Sequence, residues 1–179
     1  MKNSHYQVFL DHSEENSSHI DSNLLNQWLL ALNGEVDNYR GSSSSISVKF
    51  VTTKSMIFLN SKFRGEEGPT NVLAFPSELE IHKESLGYLG DIALCLEVIK
   101  EEALKQKKSF DDHLIHIFLH GVLHLLGYDH QSEVSAIKME KEIGPSFDDI
   151  NRGHKFSGES FVHDRLITSW PRRTILHYS

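Results

Sequence analysis

The sequence predicts a single α/β (α+β) domain, on three observations. At 179 residues the chain is long enough to enclose one proper core and too short for two ordinary domains. Four short stretches with strand character are interspersed with five of helical character, which mixes the two element types in one unit. The most apolar helical stretch, around residue 120, is apolar over much of its circumference and so is expected to run through the core.

Composition narrows the class further. Hydrophobic residues make up 39% and charged residues 24%, the balance of a soluble globular protein. The one cysteine, Cys95, excludes an internal disulfide and fits a reducing compartment. No run of 18 apolar residues occurs, and the start MKNSHYQVFLDHSEEN lacks the apolar core of a signal peptide. A cytoplasmic location with no membrane contact is therefore expected. The net charge of −7 disfavours a general polyanion binder, so any contact with nucleic acid has to be a local basic patch.

Taken in order, Tyr6 to Leu10 is a first short strand. Ser22 to Leu32 is an amphipathic helix that Asp21 or Ser22 can cap and Gly34 can end, with Leu25, Trp28, Leu29 and Leu32 on its core face. After a serine-rich loop, Ser45 to Val51 alternates, placing Ile46, Val48 and Phe50 on one side of a half-buried strand. Thr53 to Phe63 is a helix with Met56, Ile57 and Phe63 available to pack. Gly65, Gly68 and Pro69 mark an irregular loop, and Val72 to Phe75 a short buried strand. Leu86 to Cys95 is the fourth strand, with Asp91 near its start. Glu97 to Lys107 is a charged surface helix. The central helix follows, with Asp111 and Asp112 in its first turn, where the helix dipole favours negative charge, and Ile115, Phe118, Leu119, Val122, Leu123 and Leu126 for the core. Ser132 to Ile143 is a fifth helix.

The central helix carries the chemistry. His120 and His124 are four residues apart, which turns the chain by about 400° and raises it by about 6 Å, so both imidazoles leave one face as neighbours. Had the helix continued, His130 would sit about 80° off that face and out of reach. Gly127 offers the solution, because a glycine can take the left-handed conformation that ends a helix and turns the chain back. Three imidazoles around one divalent ion, with a fourth position for water, is the plan of a catalytic zinc site. With twelve histidines in the chain, one pair at this spacing is expected by chance; the third histidine beyond a glycine is what singles out the motif. His113 and His116 share the helix and are expected to be structural.

The spacing HxxxHxxGxxH resembles that of the metzincin metalloproteases with one departure: their general-base glutamate is replaced by Gly121, which argues against proteolysis by that route and leaves the metal untouched. Together with LNSKFRG, the segment RGEEGPTNVLAFP, LGYLGDIALC and HGVLHLLGYDH, the pattern resembles the YbeY family of bacterial endoribonucleases over roughly Tyr6 to Ile143. That resemblance implies one domain with a small mixed β-sheet packed with about five helices. It implies one zinc per chain held by His120, His124 and His130, with His120 also counted in the catalytic set. It further implies cleavage of single-stranded RNA in ribosomal RNA maturation, at the small-subunit precursor 3′ end, a part in ribosome quality control, contact with small-subunit ribosomal proteins, and no DNA substrate.

Arg64 matches the family's loop arginine and is placed to stabilise negative charge on phosphorus oxygens. Asp129, next to a ligand, can orient an imidazole through its other ring nitrogen or cap the turn between helices. Lys54, Lys62 and Arg64 are the basic residues nearest the site loop and form the expected RNA contact, with Arg40 a further candidate. Residues 1–144 are expected to be the hydrolase domain. In the remainder, 145–179, Arg172 and Arg173 suggest an RNA-contacting extension, while the lack of periodicity suggests a poorly ordered appendage. Two other functions stay open at this point: a metallohydrolase of another class, peptidase included, and a ribosome-assembly binding protein in which zinc is structural.

Overall fold

A computed structural model describes residues 5–13, 19–30, 43–77 and 87–128. Strands β1 (His5–Asp11), β2 (Ser43–Phe50), β3 (Val72–Pro76) and β4 (Tyr88–Leu94) form one sheet in the order β1-β2-β4-β3. β1 and β4 run parallel to β2, while β3 is antiparallel to β4. The sheet is thus small and mixed. Four helices are described: α1 (Ser22–Leu30), α2 (Thr53–Arg64), α3 (Leu96–Gln106) and α4 (Phe110–Leu125). The expected fifth helix, 132–143, and the extension 145–179 lie outside the described residues, as do Arg40, Asp129 and His130.

Alternation along the strands decides what each sheet face meets. Val8, Ile46, Val48, Phe50, Val72, Ile92 and Leu94 point to one side, where they join α1 and α4 in the main core. Leu73, Ala93 and Cys95 point to the other, where Met56 of α2 closes a smaller cluster with Leu59 and Phe75. α1 is capped by Asp21, whose Oδ1 accepts from the Leu24 amide at 2.8 Å; it packs on β1 and buries Leu25, Trp28 and Leu29. The sheet takes Met56 of α2 but not Ile57, which is 41% exposed. Adjacent helical residues point about 100° apart, and that step carries Ile57 out to the solvent side beside Phe58. This corrects the expectation that Ile57 packs.

β4 has one irregularity with consequences. Ser45 pairs with Tyr88 and Ile46 with Gly90, so Leu89 is an extra residue. The bulge sends Leu89 into the main core and leaves Tyr88 within reach of Asp91, to which its hydroxyl donates at 2.7 Å. Gly90 sits at φ +137°, and a Cβ there would meet the Phe75 carbonyl oxygen at 2.2 Å. Only glycine fits between the two strands. Asp91 lies in the middle of β4 rather than near its start, and it holds Tyr88.

α4 is the buried helix. Ser109 caps it, its Oγ accepting from the Asp112 amide at 3.0 Å. Leu114, Ile115, Ile117, Phe118, Leu119, Val122 and Leu123 are all fully buried, each contributing about 1.5–3 kcal/mol by leaving water. Truncating Phe118, which packs on Trp28 at 6.0 Å between ring centroids, is the single change that should hurt most, at about 3–5 kcal/mol.

Candidate metal centre

The site is built where α4 stops. The helix ends at Leu125, and Gly127 takes φ +85°. The Tyr128 amide then donates to the Leu123 carbonyl and the Gly127 amide to the His124 carbonyl, both at 3.0 Å. Paired bonds of this kind close a helix with a left-handed residue and reverse the chain. Tyr128 packs against the main core beside this turn. The helix is therefore interrupted where the sequence required, two residues before Asp129 and three before His130, which lie beyond the described residues.

The turn also sets the chemistry of a ligand candidate. His124 Nδ1 lies 3.0 Å from the Tyr128 carbonyl oxygen. A carbonyl only accepts, so Nδ1 carries the proton and the neutral ring keeps its lone pair on Nε2. That Nε2 faces Nε2 of His120 at 3.0 Å, with the rings nearly perpendicular at 82°. Two nitrogens on a tetrahedral zinc stand about 3.3 Å apart, given bonds of about 2.0–2.1 Å. The pair therefore fits a divalent ion. Among the described residues no group of three His, Cys, Asp or Glu converges, so a third donor has to come from elsewhere, and His130 is the candidate.

The other helix histidines have different surroundings. His116 stacks on His120 with ring centroids 6.5 Å apart. Burial pushes its imidazole down to about 4, with the charges of Lys108 and His113 acting the same way. His113 Nε2 meets Glu102 of α3 at 2.8 Å, and Asn71 donates to the same carboxylate oxygen at 2.9 Å. Burial works to raise the Glu102 carboxyl, but these two hydrogen bonds and the His113 charge outweigh it and hold the group below its ordinary value. Sequence reasoning missed this network. Its members, Asn71, Glu102 and His113, stand far apart in the chain and meet only in the fold.

The loop after Arg64 runs to β3. Arg64 ends α2, before Gly65, and is half-buried; burial lowers its pKa and the Glu66 charge opposes this. Asn60 donates to the Gly68 carbonyl at 2.9 Å, and Asn71 is tied to Glu102, so the loop is held at both ends. Beyond it, Val72 Cγ2 would lie 3.1 Å from a Cβ at Gly121, and two carbons of Ile92 3.4 Å from it. Position 121 thus faces β3 and β4, where an added side chain would press on Val72 and Ile92. Lys54 and Lys62 stand exposed on α2. Within the described residues, His120 and His124 meet, and Arg64 stands at the start of the clamped loop.

A mixed sheet between helical layers, with two imidazoles converging at the end of its most buried helix, defines the class: an α+β domain with a histidine site on its central helix. The chain belongs to the YbeY family, whose model, described as Endoribonuclease YbeY, matches residues 10–151. The Endoribonuclease YbeY of Chelativorans sp. is 44% identical over 99 residues, 55% of this chain and 61% of that protein. That of Colwellia psychrerythraea is 37% identical over 113 residues, 63% of this chain and 72% of that protein. The match thus spans about three fifths of the first relative's length. The solution structure of TM1509 from Thermotoga maritima is similar with a TM-score of 0.54 at 26% identity, covering 83% of this chain and 93% of that one.

Proposed function

We propose that this protein is a zinc-dependent endoribonuclease that cuts single-stranded RNA during maturation of ribosomal RNA, at the 3′ end of the small-subunit precursor, and serves ribosome quality control. The observation that carries this reading is the meeting of His120 and His124 through Nε2, with the His124 tautomer set by the Tyr128 carbonyl, in a chain whose relatives are named endoribonucleases. His120, His124 and His130 would hold one zinc, which when bound supplies Lewis acidity toward a phosphoryl oxygen. Arg64 stabilises the negative charge that gathers on the phosphorus oxygens, as a planar guanidinium with paired donors does well. Asp129 orients a ligand imidazole. Lys54 and Lys62 neutralise phosphates along the approach. The work takes place in the cytoplasm on ribosomal precursors, beside small-subunit proteins and without DNA. No helix among the described residues is long and apolar enough to cross a membrane.

The rival peptidase reading lacks its general base, since Gly121 stands where the metzincin glutamate would. The test is cleavage of a defined single-stranded oligoribonucleotide by the purified protein, before and after chelation and after zinc is restored, with duplex RNA and an unstructured polypeptide as controls. Cutting of the single strand alone, lost on chelation and regained with zinc, is expected. Binding without cutting under every condition would leave an assembly factor, and cutting of the polypeptide would leave a peptidase.

A further inference from the structure

α2 holds three basic residues, Lys54, Lys62 and Arg64, and no acidic one, in a chain of net charge −7. Its exposed residues are Lys54, Ile57, Phe58, Ser61 and Lys62. At about 100° per residue these fall within an arc of roughly 140°, a single face, directed away from the sheet that Met56 and Leu59 pack against. Phe58 is 62% exposed, an aromatic ring that the described part of the fold does not use for packing. Lys54, Phe58 and Lys62 follow one another in steps of four, so the ring stands between two ammonium groups. The stripe runs along the helix for about 12 Å, on the order of three nucleotides at a stacked rise of roughly 3.4 Å. It ends at Arg64.

The ammonium of Lys62 is held in place. It lies 5.7 Å from the Phe58 ring centroid and 5.1 Å from that of Phe63, and Phe63 is itself packed edge-on against Phe75 at 5.2 Å. The contact to Phe58 is near the long limit for a cation over a ring, about 6 Å, so it is easily yielded to a phosphate. A surface aromatic flanked by cations is how proteins hold single-stranded nucleic acid without reading its sequence: the ring stacks on any base and the cations follow the backbone. A protein partner would need more apolar area than one ring and one aliphatic side chain.

We propose that Phe58 is a base-stacking platform for single-stranded RNA, with Lys54 and Lys62 taking the flanking phosphates. This rests on the RNA-cleaving function proposed above. The test is equilibrium binding of a fluorescent single-stranded oligoribonucleotide with chelator present, repeated over a range of salt, beside a cleavage assay with zinc. F58A should bind about tenfold more weakly with an unchanged salt slope. The pair K54A and K62A should lower the log–log slope by about 1.4, at about 0.7 per lost phosphate contact. F58W should bind like the parent, F58L should not, and duplex RNA should not register the F58A change. An F58A protein that binds within twofold of the parent overturns the platform, and so does full recovery by F58L, which would mark a plain apolar docking face. A parent that binds through Phe58 but never cuts refutes the nuclease and leaves the platform standing. A parent that cuts as well without the ring refutes the platform alone, and a parent that does neither removes both.

Discussion

Replacing Gly127 with alanine tests the link between the helix stop and the metal site. The residue sits at φ +85°, and an L side chain in the left-handed region costs about 1–2 kcal/mol. For a chain of this size each kcal/mol lowers the melting temperature by about 2–4 °C, so Gly127→Ala should melt roughly 2–8 °C below the parent. The second effect is on the ion. Escape of residue 127 from this conformation moves the Tyr128 carbonyl, and with it the 3.0 Å contact to His124 Nδ1. Losing a partner that orients a ligand imidazole weakens metal binding by about 10–100-fold. Thermal melts of the metal-free protein and competition with a zinc indicator measure the two effects separately. Gly127→Asn is the control, because asparagine tolerates the left-handed conformation, and it should lie between parent and alanine on both scales. Unchanged melting and unchanged zinc affinity in Gly127→Ala would refute the reasoning, as would an asparagine variant as damaged as the alanine one.

Three further outcomes are expected. Metal analysis should find about one zinc per chain, with His120→Ala, His124→Ala and His130→Ala each nearly emptying the site and His116→Ala leaving it filled; full occupancy without one of the three removes it from the ligand set. Arg64→Ala should keep its zinc and its fold yet cut single-stranded RNA about 10²–10³-fold more slowly, with partial recovery in Arg64→Lys, and parental rates would make the arginine structural. Glu102 titrates below its ordinary value when folded, so its contribution to stability is complete above that ordinary value and is lost as pH falls through the lower folded one. Urea unfolding of Glu102→Gln across that acid window should therefore show a flatter decline than the parent, and parallel curves would mean that the carboxylate is not the linked group.

Both histidine spacing and the turn at Gly127 were legible in the chain because both are local. Helical geometry alone puts His120 and His124 on one face, and the need for positive φ marks a glycine as the place to stop. The buried stripe of α4 and the alternation of β2 follow from periods of 3.6 and 2 in the same way. Other features depend on partners far away in sequence. Glu102 looked like one more charge on a surface helix until the fold brought Asn71 and His113 to the same carboxylate oxygen. Ile57 looked like core until the sheet took the neighbouring face of its helix.

Gly121 shows the division most clearly. Its identity alone said that the peptidase base is missing. Only the tertiary structure showed that the position points at Val72 and Ile92, from strands about 50 and 30 residues earlier in the chain, which an added side chain would crowd. Periodicity and backbone preference are written into neighbouring residues and can be read from them. The distance between two surfaces is decided only when the whole core packs at close to crystalline density.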